Sequence, residues 1–208
     1  MLPFKRVKEI AIFGDIILKD EIYYATGNAG KFADVASYAK EHQHDITIKQ
    51  FDCELVEPQS MDQRFIALEK GRQAWNILQK PVLVDDSAIY FEKYHQFPGV
   101  YSKFVSQGLG ISGIRKLVNP GDRAYFQLHL IFFYGKNIYQ IFENHCYGTV
   151  VHQDTFIPPA SLPYDQIFVP DGSEKTYAQL RLEGNGHLFD YRIEACRKFF
   201  NWLTQNKL

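Results

Sequence analysis

Hydrophobic positions along this chain follow two rhythms. Ile22-Tyr23-Tyr24 is a continuous apolar run, and Phe32, Val35, Ala36 and Ala39 then recur at helical spacing across Ala29 to Glu41. The run predicts a buried strand over 22–25 and the spaced set predicts a helix with one apolar face. Ile46 and Ile48 alternate with polar residues in 45–51, the pattern of a second strand. Phe65, Leu68, Trp75 and Leu78, with charge between them, predict a helix over 61–78 that Pro81 terminates. Val82-Leu83-Val84 reads as a short buried strand ending in Asp85-Asp86-Ser87. Strand, helix, strand, helix, strand is the signature of an α/β fold.

The second half changes character. Arg123 to Gly135 and the stretch 137–151 are rich in Tyr, Phe, Ile and Val and are separated by Gly135-Lys136, which predicts a long antiparallel pair. The phenylalanines there, Phe126, Phe132 and Phe133, read as core and dimer surface and not as a platform for stacking single-stranded bases. A Pro-rich loop over 157–163 and a brief strand or loop over 164–170 follow. Ile193, Cys196, Phe199, Phe200 and Leu203 then fall on one face of a last helix. Near the start, Gly14-Asp15 splits the apolar run 10–18, which predicts two short strands around a turn and is too short to span a bilayer. The expectation is one α/β domain over 1–208: a long mixed sheet in two lobes flanked by helices, with a cleft between the lobes.

Composition adds exclusions. At 208 residues and 46% hydrophobic the chain buries a sizeable core. A net charge of −1 gives no general attraction for polymeric nucleic acid or an anionic membrane. Cys53, Cys146 and Cys196 are scattered, with no paired-cysteine spacing, which argues for a reducing, cytoplasmic setting and against a zinc site.

Two stretches carry candidate chemistry. Thr26-Gly27-Asn28-Ala29-Gly30-Lys31 sits where the first strand turns into the first helix. Unpaired N–H groups at a helix start, glycines that admit a close ligand, and a lysine together suit a phosphate. The spacing is not that of a Walker A loop. An ordinary turn capped by Asn28 explains the same residues equally well. Asp85-Asp86-Ser87 follows a buried strand, and α/β folds bind ligands beyond the carboxyl ends of their strands. Adjacent carboxylates repel, and Mg²⁺ carrying a polyphosphate relieves that repulsion. A solvated turn is the competing reading. Glu57, after the second strand, is either a further metal ligand from a neighbouring strand or an exposed loop residue.

Taken together, ATGNAGK at 25–31, LVEPQ at 55–59, the helix bearing Lys70, PVLVDDSAIYFE at 81–92, FPGVYSKF at 97–104 and YDQIFVPDGSEKTYAQL at 164–180 resemble the inosine triphosphate pyrophosphatase family, also called Ham1-like. The resemblance runs from Ile22 to the C-terminus and leaves the first 20 residues outside the usual family start. It implies hydrolysis of deaminated purine nucleoside triphosphates (ITP, dITP, XTP) to the monophosphate and pyrophosphate. It also implies a requirement for Mg²⁺, for which Mn²⁺ can substitute, and a homodimer. By position, Thr26, Gly27, Asn28, Lys31 and Ser87 would hold the phosphates, with Lys70 reaching them from its helix. Glu57, Asp86 and Asp85 would organise the metal, and Asp86 would activate water, so Asp86, Lys31 and Lys70 form the catalytic set. Tyr101 and Ser102 match a family loop facing the cleft.

The match weakens at the base end. Tyr164 and Asp165 survive, but Leu162 stands where the family stacks an aromatic and Pro163 where it has glycine. An aliphatic residue cannot supply that stacking contact. The family's Lys falls on Gly184 or Asn185, and its Ser-His-Arg becomes Asp190-Tyr191-Arg192. Arg192 therefore takes the family's Arg role, donating to the base opposite Asp165. His187 reads as a loop hydrogen-bonder. A nucleotide-binding module without catalysis and a phosphohydrolase of another small ester are the alternatives.

Overall fold

The structure of the protein, a computed structural model, describes residues 21–42, 46–152 and 163–206. The expected N-terminal strands and most of the 157–163 loop, with Leu162, lie outside them. β1 (Glu21–Ala25) and β2 (Thr47–Phe51) pair in parallel, joined by α1 (Ala29–Glu41). α2 (Gln63–Leu78) starts at Asp62, whose side chain accepts from the Phe65 amide, and stops at Gln79, which turns into the left-handed region at φ 52°. β3 (Val82–Phe91) pairs in parallel with β1 through Tyr23 and Tyr24, then with the two-residue β4 (Pro98–Gly99). Along its whole length β3 also pairs antiparallel with β5 (Arg123–Gly135). β6 (Ile138–Val150) and β7 (Phe168–Pro170) complete a seven-stranded sheet of order β2-β1-β3-β5-β6-β7, with β4 beside β3.

Two findings revise the sequence reading. The acids do not end a short strand. Asp85, Asp86 and Ser87 lie in the middle of the ten-residue β3, with partners Leu130, His129 and Leu128 on β5. They sit where β1 has stopped pairing and β4 has not begun, so one edge of β3 is open from Val84 to Ala88. The second is α3 (Ser102–Leu117), where a cleft-facing loop was expected at Tyr101 and Ser102. Gly108, Gly110 and Gly113 mask its helical pattern, and Gly110 takes a non-helical φ of 61°. The short α4 (Tyr177–Leu182) begins with a capping box between Thr176 and Gln179, and α5 (Tyr191–Asn206) closes the chain.

Core lies on both faces of the sheet. Leu83, Leu130 and Phe132 pack with Val35 of α1 and Phe199, Phe200 and Leu203 of α5. Val82, Val84, Ile131 and Phe133 pack beneath Ala67 and Ala74 of α2. Each fully buried aromatic of this kind contributes about 1.5–3 kcal/mol. Phe132 and Phe133 are thus entirely core on opposite faces, and not surface. α2 lies unusually close: a Cβ on Gly71 would stand 2.1 Å from the Phe133 ring. Among the described residues no helix is long and apolar enough to cross a membrane.

Candidate active site

The open edge of β3 borders a cleft of about 500 Å³. At one end the β1–α1 turn is held by its own side chains. Thr26 Oγ1 accepts from the Asn28 amide at 3.1 Å, and Asn28 Oδ1 caps α1 by accepting from the Lys31 amide at 3.0 Å. The capping explanation of this sequence therefore holds as a fact of structure. Asn28, Lys31 and Ser87 also line the cleft, so the cap and a ligand-facing role coexist there. Thr26 and Gly27 belong to the turn but are not among the residues lining the cleft.

Alternation along β3 sends the two acids to opposite faces. Asp85, 3% exposed, receives Lys31 Nζ on both oxygens at 3.1 and 3.0 Å and Arg192 Nη2 at 3.2 Å. Burial alone would raise its pKa, but Lys31 and Arg192 outweigh it and hold the carboxyl well below the usual range. Burial meanwhile lowers the pKa of Lys31. Asp85 was expected to join the metal ligands. Its oxygens are engaged by Lys31, which itself lines the cleft, and by the buried Arg192.

Asp86 faces the cleft. Lys70 Nζ lies 3.3 Å from its Oδ1, 3.0 Å from Glu57 Oε1 and 3.0 Å from the Asp85 carbonyl. Burial raises the Asp86 pKa against the opposing pull of Lys70 and Lys31. For Lys70, burial works downward, but Asp86, Asp85 and Glu57 carry the net shift upward. Gln63, itself buried, donates to the Asp86 carbonyl at 3.0 Å and fixes the strand from α2. Glu57 and Asp86 come from separate segments and converge on one positive charge. Among the described residues no three His, Cys, Asp or Glu side chains are arranged to hold a metal. Two carboxylates with room beside them are what Mg²⁺ uses when phosphates and waters supply its other ligands, so this donor set fits that ion.

The other end of the cleft is apolar, walled by Ile89, Val100, Phe126, Pro163, Tyr164 and Tyr191. Phe126, expected as core and dimer surface, is buried and stacks on Tyr191 with ring centroids 5.2 Å apart at the cleft wall. Tyr164 is 5% exposed, and its hydroxyl donates to the Ser102 carbonyl at 2.8 Å, so it braces α3 against this wall.

Arg192 is not opposite Asp165. It is 1% exposed, with Nη2 on Asp85 and Nη1 3.5 Å from Asp34 of α1. Its place in the first turn of α5 points it at the sheet, where Asp85 supplies the counter-charge. The cation on Asp165 is Arg181 of α4, whose Nε donates to Asp165 Oδ2 at 2.9 Å. The sequence reading missed Arg181 because nothing local marks it. A lone arginine on a helix of six residues gains its meaning from acids 16 residues before it and nine after. His187 is a loop hydrogen-bonder as read, with Nδ1 3.0 Å from the Gly184 carbonyl.

Known proteins resemble this chain. A model of the Ham1 family matches residues 22–202. A dITP/XTP pyrophosphatase of Korarchaeum cryptofilum is 32% identical over 77% of this chain and 85% of its own. The inosine triphosphate pyrophosphatase of Saccharomyces cerevisiae is 30% identical over 90% of this chain and 98% of its own. The solved structure of a HAM1 protein from Coxiella burnetii superposes with a TM-score of 0.74 at 20% identity, covering 89% of this chain and 98% of that one, which is a likeness of fold. On the family match across most of its length, the chain belongs to the Ham1 family.

Proposed function

We propose that the protein hydrolyses deaminated purine nucleoside triphosphates, such as ITP, dITP and XTP, to the monophosphate and pyrophosphate with Mg²⁺ bound. The observation that carries this reading is the convergence of Glu57, Asp86 and Lys70 beside Lys31 on the open edge of β3. Relatives named dITP/XTP and inosine triphosphate pyrophosphatases support the substrate class.

Lys31, Asn28 and Ser87 hold the phosphate chain at the polar end of the cleft. Glu57 and Asp86 would hold Mg²⁺ (or Mn²⁺ in its place), which when bound supplies positive charge against the phosphates. Asp86, its pKa raised by burial, takes the proton from water as the water oxygen bonds to the α-phosphorus. The α–β bridging bond breaks and its electron pair leaves with pyrophosphate. Lys70 sits where negative charge grows and moves from Asp86 and Glu57 toward the phosphates. Positioning and charge neutralisation account for most of the barrier reduction in such transfers. The same reading expects a cytoplasmic homodimer, which light scattering of the purified protein tests.

The deciding experiment measures pyrophosphate release with Mg²⁺ from ITP, dITP, XTP and the four common triphosphates. Release chiefly from the deaminated purines is expected. Tight nucleotide binding with no turnover would overturn the reading in favour of a binding module, and orthophosphate in place of pyrophosphate would mark a different hydrolase.

A further inference from the structure

Helix α2 grips the backbone at Asp86 from two places. Its first residue, Gln63, and Lys70 stand two turns apart on one face of the helix. Lys70 Nζ donates to the Asp85 carbonyl at 3.0 Å, and Gln63 Nε2 donates to the Asp86 carbonyl at 3.0 Å. The carbonyls before and after the Asp86 α-carbon are therefore both held by one helix. From Val84 to Ala88, β3 has a strand partner along one edge only. On either side of that stretch β1 and β4 supply a second neighbour. Within it the added restraint comes from α2.

The Gln63 amide fits only one way round. Its Nε2 also donates to the Gln127 carbonyl of β5 at 3.2 Å, so both N–H groups are spent on main-chain oxygens. Reversed, the amide would set Oε1 against those same two oxygens. Oε1 instead accepts from the Tyr90 hydroxyl at 3.1 Å. Tyr90 is buried on the same face of β3 as Asp86, and its ring stacks on Tyr125 with centroids 5.0 Å apart. Gln63 is buried as well, and a buried polar network with its groups satisfied is rigid. Neither Gln63 nor Tyr90 lines the cleft, so each acts on the chemistry only through Asp86.

We infer that Gln63, oriented by Tyr90, is a positioning residue for Asp86: it holds the backbone beneath the carboxylate, so that the acid enters the cleft at one fixed angle. This rests on the proposed role of Asp86 in taking a proton from water and extends it to the residues that aim the acid. Lys70 holds the carboxylate and one flanking carbonyl, and Gln63 holds the other. Without Gln63 the peptide after Asp86 is free to rock, and the carboxylate moves with it.

The test compares wild-type protein with Gln63→Met, Tyr90→Phe and the double variant by two readouts. One is pyrophosphate release from ITP with Mg²⁺. Gln63→Met fills the same space without donors and is expected to lower kcat roughly 10- to 100-fold, the scale of a misplaced reacting group, with KM within about 3-fold of wild type. Tyr90→Phe is expected to lower kcat about 3-fold, the scale of one neutral hydrogen bond. The double variant should be no slower than Gln63→Met, because Tyr90 acts only through Gln63. The other readout is hydrogen exchange at the Asp86 and Ser87 amides, expected to quicken about 10-fold in Gln63→Met while the β6 amides hold. Wild-type kcat in a folded Gln63→Met protein overturns the inference, as does a double variant in which the Tyr90→Phe loss adds in full. Wild-type kcat and exchange in Tyr90→Phe overturn it whether or not Gln63→Met folds. Wild-type protein that releases no pyrophosphate would sink the proposed function instead, and the exchange comparison would then decide by itself whether Gln63 holds the strand.

Discussion

The two sides of β3 treat neighbouring acids in opposite ways. Toward α1 and α5, Asp85 is sealed in with Lys31 and Arg192, and its charge is part of the architecture. Toward the cleft, Asp86 is 14% exposed at its side chain, and among the described residues the cation hydrogen-bonded to it, Lys70, is shared with Glu57. On the proposed mechanism, one peptide unit separates a structural ion from a reactive one. A carboxylate stays reactive only when some of its charge is left unmatched, and stays structural when it is matched on every side.

Substitutions at the pair break or sharpen this contrast. Asp86→Asn is expected to have the largest effect, a fall in kcat of roughly 10²- to 10⁴-fold, because the proton acceptor is gone. Its melting temperature should hold or rise, since burial disfavours the Asp86 charge. Loss of activity tracking loss of fold would void the distinction. Asp85→Asn should do the reverse. It leaves Arg192 and Lys31 buried without their counter-ion, and breaking such a pair costs about 3–5 kcal/mol. Urea unfolding reads this directly, and a midpoint equal to wild type would show that Asp85 is not structural.

The legible part of the molecule is the part written locally. The strand and helix periods around the 25–31 turn, the long hairpin and the last helix stand in the sequence because each depends on neighbours within a few positions. The acids misled because Asp-Asp-Ser resembles a turn. The open edge beside them leaves room for a cleft, and only the pairing of β1 and β4 reveals it. Helix α3 hid behind its glycines. Arg192 pairs with Asp85, and Arg181, which the sequence did not mark, pairs with Asp165, because ion pairs join residues far apart in the chain, where spacing carries no signal.

A subtler expectation concerns pH. The Asp86 pKa is raised on folding, so just above the ordinary value near 4 the folded state holds a proton that the unfolded state has lost. Through Asp86, stability therefore falls as pH rises across that window, and this slope should vanish in Asp86→Asn. The Asp85 pKa is depressed, so its contribution is present above the ordinary value and is lost as pH falls toward the folded one. Unfolding midpoints from about pH 2 to 7 in wild type and both variants separate the two slopes, the Asp85 one below the ordinary carboxylate value and the Asp86 one above it, and parallel curves in all three would contradict the assignment. Smallest is Gly71→Ala, whose methyl must find room against Phe133 at about 1–3 kcal/mol.

That glycine sets a tolerance as well as a packing distance. Its neighbour Lys70 reaches Glu57 and the Asp85 carbonyl at 3.0 Å and Asp86 at 3.3 Å, the last already long for a hydrogen bond. A helix lifted by about 1 Å would put all three beyond reach at once. The bare backbone at Gly71 therefore works as the shim in a machine fitting: a part that touches no substrate, yet whose thickness decides whether the working surfaces meet.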